Sequence, residues 1–350
     1  MATLAAGKRR PLLRVHNLKT YFFPDEGTVR AVDGASFEVC AGQTLGIVGE
    51  SGCGKSVTAR SILRIVEHPG EIVEGEIRYL HRTDGREVEL DLAQISADGP
   101  EMRQIRGGEI AMIFQEPMTS FSPVHPIGSQ IVEAIRLHSP LGKREARERA
   151  ADLLRQVGIS RAEARLDEYA YQLSGGLRQR AMIAMALSAE PRVLIADEPT
   201  TALDVTTQAQ ILDLLRQLQT DLGMAIILIT HNLGVVAEMC DTVVVMYLGR
   251  VVEEGSVDAI FHNPKHPYTR LLLQSIPSLY SEARVPLPTI SGAIPHPYNR
   301  PEGCPFHDRC PQFIPGTCDR HVPELQALDE RESDQLVSCF LYHEPTDERA

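Results

Sequence analysis

An α/β fold built on a parallel sheet is what this 350-residue sequence predicts, and three observations carry the prediction. The segment Gly49-Glu50-Ser51-Gly52-Cys53-Gly54-Lys55-Ser56 stands between a short apolar run, 43–48, and a helical pattern over 57–66. That is the strand, loop, helix order of a phosphate-binding loop, whose glycines let backbone N–H groups curl around a polyphosphate while the lysine adds charge. Second, 192–196, 225–230 and 242–246 are near-continuous apolar runs, the pattern of parallel strands buried on both faces. Third, Leu173-Ser174-Gly175-Gly176 opens an Ala- and Met-rich helical stretch, and Asp197-Glu198 closes one of the apolar strands.

Residues 1–11 form a polar tail in which Lys8-Arg9-Arg10 is followed at once by Pro11, without the apolar core of a signal peptide. From 11 to 95 the pattern is strand-rich: 13–23, 28–32 and 35–39 pair around turns at Pro24-Asp25-Glu26-Gly27 and Ala41-Gly42, giving an antiparallel β layer. From about 125 to 190 the period becomes helical; over 143–157, Ala150, Leu153, Leu154 and Val157 share one side, and a further helix covers 178–189. Beyond Pro264 prolines accumulate and four of the seven cysteines appear, the mark of an appended module.

The strand ending in Asp197-Glu198 delivers two carboxylates to the carboxyl edge of the sheet, where open α/β folds bind ligands. Phosphoryl transfer needs a metal-holding carboxylate, a water-orienting group and a γ-phosphate sensor. Asp197, Glu198, Gln115 and His231 occupy strand-end positions suited to those parts; alone, His231 would read as a satisfied strand-end histidine. Ser-Gly-Gly before a helix is a second anion-facing surface, since a helix N-terminus exposes donors. Two such surfaces in one chain suggest a head-to-tail dimer, with each nucleotide clamped between the loop of one subunit and the Ser-Gly-Gly of the other.

In that order these motifs, with Thr201-Ala202-Leu203-Asp204 and Thr230-His231, resemble the ATPase subunit of an ATP-binding cassette (ABC) transporter, a P-loop NTPase, over about residues 12–262. The resemblance implies that Gly49, Glu50, Ser51, Gly52, Cys53, Gly54, Lys55, Ser56 and Val57 bind ATP. It implies that Ser56, Gln115 and Asp197 hold Mg2+, that Glu198 is the general base, that Gln115 senses metal and water, and that His231 contacts the γ-phosphate. Ser174, Gly175, Gly176 and Asp204 would act across a subunit junction. Phe22 is the candidate for stacking on adenine, with Tyr21 and Phe23 as rivals.

The sequence also resembles one branch, the oligopeptide, dipeptide and nickel importers, through Met112–Pro123, Asn263–Thr269 and the cysteine-bearing tail over 263–350. It departs from that branch at Leu177 and at Phe121-Ser122-Pro123, and neither departure removes a reacting group. The branch implies a second ATPase subunit, two integral membrane permease subunits, a periplasmic or lipid-anchored substrate-binding protein, and a place at the cytoplasmic face of the cell (inner) membrane. Peptides are the first expectation for cargo; nickel and oligosaccharides stay open. So do a soluble, non-transport ABC ATPase and a catalytically silent partner subunit.

Cys40, Cys53 and Cys240 are isolated, whereas Cys304, Cys310, Cys318 and Cys339 share one Pro-rich segment, separated by five, seven and twenty residues. Four thiols in a reducing compartment fit zinc or an iron–sulfur cluster better than disulfides. Spacing leans to zinc, for want of C-x-x-C pairs; the branch resemblance implies a four-iron four-sulfur cluster, with His307 and His321 as possible substitute ligands. The remaining bounds come from composition. With 35 basic against 47 acidic residues the net charge is −12, which lacks the footprint of a general nucleic-acid binder. The longest apolar run, near 224–229, falls well short of the ~18 residues of a membrane span. The chain is therefore expected to lie in the cytoplasm, attached to the membrane only peripherally.

Overall fold

The computed structural model describes residues 10–83, 85–116, 120–201, 203–275, 290–328 and 335–345. Its strands run in the order β1 (Leu13–Phe22), β2 (Val29–Val39), β3 (Thr44–Val48), β4 (Gly70–Thr83), β5 (Arg86–Asp91), β6 (Ile110–Ile113), β7 (Val193–Asp197) and β8 (Ala225–Ile229). They continue with β9 (Thr242–Tyr247), β10 (Arg250–Ser256), β11 (Gln326–Ala327) and β12 (Leu336–Val337). The chain divides into two compact units, one comprising 1–13, 38–44 and 78–229, the other 14–37, 45–77 and 230–350.

In the first unit β6, β7 and β8 are adjacent and parallel, with Ile110 opposite Val193, Val193 opposite Ala225 and Asp197 opposite Ile229. Every residue of the three is buried, which is why their sequences show no alternation. Helices Ile127–His138, Lys143–Gln156, Ala162–Arg165 and Gly175–Ala186 fill the stretch read as helical. On Lys143–Gln156 the buried residues Ala146, Ala150, Leu153 and Leu154 recur at helical spacing. Arg180 donates to the carbonyl oxygen of Val157 at 2.6 Å, tying the helix that carries it to the end of that element. Helix Gly175–Ala186 begins and ends three residues before the 178–189 stretch expected from composition, because Ser174 caps it. Strand β5 lies antiparallel to residues 78–83 of β4.

In the second unit β3 and β9 are parallel, Leu45 opposite Thr242 and Val48 opposite Val245. Strand β9 turns back into antiparallel β10 through Leu248 and Gly249, both at positive φ (44° and 77°), the geometry of a two-residue hairpin turn. The segments expected as two strands, 28–32 and 35–39, are one strand, β2. Gly34 at φ 97° lets the chain pass that point without breaking it. The helix expected over 57–66 is shorter, Lys55–Ile62, because Arg64 adopts φ 56° and ends it.

The Pro-rich tail is ordered by docking within this unit. Strand β12 pairs with β10, Val337 opposite Glu253, and with β11. Phe306 packs edge-on against Tyr247 at 5.2 Å and Tyr268 at 5.3 Å between ring centroids, and all three are buried. Glu253, fully buried, accepts from the backbone N–H groups of Lys265 (2.6 Å) and His266 (3.0 Å) and from Nε2 of Gln335 (2.7 Å). A segment with few apolar residues of its own thus gains aromatic burial and a satisfied buried carboxylate.

Candidate nucleotide site

The second unit holds the phosphate loop, between β3 and helix Lys55–Ile62. Glycine is required twice by close approach: a Cβ on Gly49 (φ 148°) would lie 2.2 Å from the Met246 carbonyl oxygen, and one on Gly54 (φ 99°) 2.2 Å from that of Ala31. Lys55, only 7% exposed, turns its ammonium back onto the loop, donating to the carbonyl oxygens of Gly49 (2.8 Å) and Glu50 (3.0 Å), with the Cys53 sulfur at 3.6 Å. Burial pushes the Cys53 thiol up. Ser51 and Gly52 are exposed at the tip, and Ser56 and Val57 are half-buried on the first helical turn. The loop is folded around the one cation that a polyphosphate would draw outward.

The three aromatic candidates have different surroundings. The Phe22 ring lies over Gly70, where an added Cβ would come 2.6 Å from both its Cε1 and Val66 Cγ1. The Tyr21 hydroxyl donates to Asp33 at 2.5 Å, and the Arg30 guanidinium stands 5.7 Å from its ring centre. Burial, then the Asp33 carboxylate, raises the Tyr21 phenol to about 12. Phe23 is 46% exposed. His231 is exposed in the turn after β8, between buried Thr230 and Asn232, whose side chain accepts from the N–H groups of Gly234 and Val235 at the start of helix Leu233–Met239.

In the first unit, parallel β6 and β7 bring Gln115 and the Asp197-Glu198 pair out at the same edge. Gln115 is exposed two residues beyond β6; 117–119, inside the importer-like stretch, lie outside the described residues. Asp197 is buried at the last position of β7. Glu198 follows at φ 47°, a left-handed conformation costly for a non-glycine residue, held by its N–H donating to the Ile229 carbonyl oxygen at 2.8 Å. Its carboxylate accepts from the Thr201 hydroxyl at 2.6 Å. The strain and the Thr201 contact aim one carboxylate, which sequence alone does not reveal.

Ser174 is the N-cap of helix Gly175–Ala186, its hydroxyl accepting from Leu177 N–H at 3.4 Å. Asp204 caps helix Val205–Leu222, accepting from both the N–H (2.9 Å) and the hydroxyl (2.8 Å) of Thr207, bonds that hold its carboxyl below the usual range. The two caps are linked: a Cβ on Gly176 would sit 2.8 Å from Thr207 Cγ2. Gly175 is half-buried between them.

The cysteine segment departs from expectation. Cys304, Cys318 and Cys339 are buried and Cys310 half-buried, and the Cys304 N–H donates to the Cys318 carbonyl oxygen at 2.8 Å. Burial, with a smaller contribution from neighbouring thiols, raises the Cys304 thiol to about 12 and the Cys339 thiol to about 11. Yet among the described residues no three His, Cys, Asp or Glu side chains form a group able to hold a metal ion. Four sulfurs at the ~2.3 Å of a zinc site are not assembled, so what the structure supports for the tail is a cysteine-bearing segment, the expected metal centre not being seen among the described residues. Nor do the two histidines stand in as ligands. His307 bonds Asp308 (3.0 Å) and the Cys304 carbonyl (2.9 Å), and His321 is exposed.

Residues 32–201 match the ABC transporter family and 252–318 the oligopeptide/dipeptide transporter C-terminal region. The chain is 48% identical to the probable peptide ABC transporter ATP-binding protein y4tR of Sinorhizobium fredii, over 95% of this chain and 96% of that one. It is also 48% identical to the oligopeptide transport ATP-binding protein AppD of Bacillus subtilis (95% and 97%) and 46% identical to the dipeptide transport ATP-binding protein DppD of Escherichia coli (92% and 95%). Among solved structures, the ATP-binding cassette MJ0796, as a dimer bound to ADP and Pi, superposes with a TM-score of 0.60 at 25% identity, covering 70% of this chain and 98% of the other. The phosphate loop, the strained Glu198 and the capped Ser-Gly-Gly helix thus belong to a chain whose relatives match it nearly end to end: it is a member of the ABC transporter family, an ATPase of the oligopeptide/dipeptide group.

Proposed function

We propose that this chain powers a membrane importer for di- and oligopeptides, hydrolysing ATP as a cassette dimer closes and reopens. The observation that carries the reading is a likeness extending over 95% of the chain to a protein named for peptide transport, with every reacting group in place. The cassette would span 12–262, with its helical subdomain near 125–190, and the tail 263–350. Lys55 and the backbone from Gly49 to Val57 would take the phosphates, Lys55 exchanging its loop carbonyls for phosphate oxygens. Adenine would stack at the end of β1, Phe22 being the first assignment to test against Tyr21 and Phe23.

Ser56, Gln115 and Asp197 offer hydroxyl, amide and carboxylate oxygens, the hard donors that magnesium prefers. The ion, when bound, would neutralise charge on the phosphoryl oxygens. Glu198 would take the proton of the attacking water, and His231 would contact the γ-phosphate. Ser174, Gly175, Gly176 and Asp204 would serve a nucleotide held by a second ATPase, of the same or a different sequence. Permease subunits and a substrate-binding protein would complete the machine, with this chain on the cytoplasmic face of the inner membrane. Among the described residues no helix is long and apolar enough to cross a membrane.

For the four cysteines the finer proposal is a polynuclear iron–sulfur cluster. What supports it is the donor set: four cysteines in one segment, three buried and one half-buried, none of them in a disulfide, with thiolate being the ligand such clusters take. The transport reading is tested by uptake of labelled dipeptide, oligopeptide and nickel in cells expressing the chain or its Glu198→Gln variant, with co-purification from membranes. Peptide uptake should fall with the variant, and integral membrane proteins should accompany the chain. Unchanged peptide uptake, or recovery without membrane partners, would point instead to another cargo or to a soluble ATPase.

A further inference from the structure

Arg309, one residue before Cys310, has no task in the mechanism above, yet its side chain is only 4% exposed. Its guanidinium makes a two-pronged ion pair with Glu50, Nη1 to Oε2 at 2.8 Å and Nη2 to Oε1 at 3.1 Å. Nη1 also donates to the Tyr247 hydroxyl at 3.3 Å, and Nε to the Ser291 carbonyl oxygen at 3.1 Å. Glu50 is the second residue of the phosphate loop, and all three of its polar groups are held. Its N–H donates to the Tyr268 hydroxyl at 2.9 Å, its carbonyl oxygen accepts from Lys55 Nζ at 3.0 Å, and its carboxylate meets Arg309. Two of those partners come from 218 and 259 residues further along the chain, both beyond the cassette.

Two physical arguments give this contact a bearing on nucleotide binding. A carboxylate in a loop that wraps a polyphosphate repels the ligand, and a two-pronged guanidinium cancels that charge while fixing its direction. The same residue's carbonyl holds Lys55, so the orientation of Glu50 decides where the ammonium rests before phosphate arrives. A simple tail anchor would serve on any surface carboxylate; this one grips the loop itself.

We propose that Arg309 is a positioning residue of the nucleotide site, by which the C-terminal segment shapes and neutralises the phosphate loop through Glu50, so that ATP affinity depends on the docked tail. The inference rests on reading 49–56 as the loop that binds ATP. The full-length chain and its variants would be compared by equilibrium binding of ATP and by the split between KM and kcat, with thermal melting as a folding check. Arg309→Ala should raise the ATP Kd about tenfold, with kcat at saturation within about twofold. Arg309→Lys, which keeps charge but loses the fork, should fall between. Glu50→Gln combined with Arg309→Ala should recover affinity toward that of Glu50→Gln alone, because the repelling charge is gone. A purely structural role would give no such recovery.

Arg320→Ala, an exposed arginine of the same tail, should bind ATP like the parent chain. An unchanged Kd in Arg309→Ala and Arg309→Lys, or strictly additive losses in the double variant, overturns the inference. If Arg309→Ala does not fold, Arg309→Lys and Glu50→Gln decide it by the same measurement. Lys55→Ala separates the two levels. If it leaves ATP binding intact, the loop reading itself fails; if it abolishes binding while the Arg309 variants bind normally, only the role of Arg309 fails.

Discussion

Replacing Glu198 by glutamine tests the chemistry with little disturbance to the fold. The side chains are isosteric, and the amide oxygen can still accept the Thr201 hydroxyl bond that the carboxylate receives at 2.6 Å. The backbone at φ 47° is held by the N–H bond to Ile229, which does not change. What disappears is basicity. A positioned general base contributes roughly 10²–10⁴ in rate, so single-turnover hydrolysis should fall by at least ~10², a barrier increase of about 3 kcal/mol. ATP affinity, measured separately by equilibrium binding, should stay within about twofold. Thr201→Val removes only the bond that aims the carboxylate and should cost less, about three- to tenfold in rate. Near-normal single-turnover hydrolysis by Glu198→Gln, with ATP affinity intact, would show that the base lies elsewhere.

Three further outcomes are expected. His266, fully buried, has its pKa pulled down to about 3 by burial, and its Nδ1 accepts from the Tyr268 N–H. A depressed histidine stabilises the fold above its unfolded pKa of ~6.5 and loses that contribution as pH falls, at about 1.4 kcal/mol per unit. The parent chain should therefore lose Tm between pH 6.5 and 4 more steeply than His266→Asn, and parallel slopes would refute the assignment. Gly176→Ala should destabilise by about 1–3 kcal/mol in urea unfolding, because the new Cβ meets stiff, doubly bonded Thr207 at 2.8 Å, and adding Thr207→Ser should restore part of the loss. Anaerobically purified chain should carry iron and acid-labile sulfide in about equal amounts, both lost in Cys318→Ser; one zinc per chain and no sulfide would dispose of the cluster.

The elements legible in the sequence are those whose cause is local. Apolar runs gave β7, β8 and β9, the glycine pattern gave the loop, and Ser174 and Asp204 are cap residues in cap positions. What stayed hidden depends on distant partners. Strand β10 reads Arg-Val-Val-Glu-Glu-Gly-Ser, and nothing nearby predicts that Glu253 is wholly buried, because its donors are at 265, 266 and 335. Arg309 and Tyr268 were likewise invisible as loop contacts, separated from Glu50 by more than two hundred residues. Phe22 is a candidate by type and position; that its ring covers Gly70 follows only from how β1 meets the start of β4.

The two capped helix starts are built on each other. Ser174 satisfies only one first-turn donor of its helix, and the other first-turn N–H groups have no partner within the helix by geometry, which is what makes such an end receptive to phosphate. Gly176, in that turn, abuts Thr207, and Thr207 is fastened twice to Asp204. Asp204 is thus joined to the Ser-Gly-Gly turn through two hydrogen bonds to Thr207 and the close approach of Thr207 to Gly176, where an added Cβ would come 2.8 Å from Thr207 Cγ2. Because there is no room for a methyl group at Gly176, any larger residue there would push the two helix starts apart. The glycine at 176 is therefore required by the packing of these two helix starts, whatever else it meets.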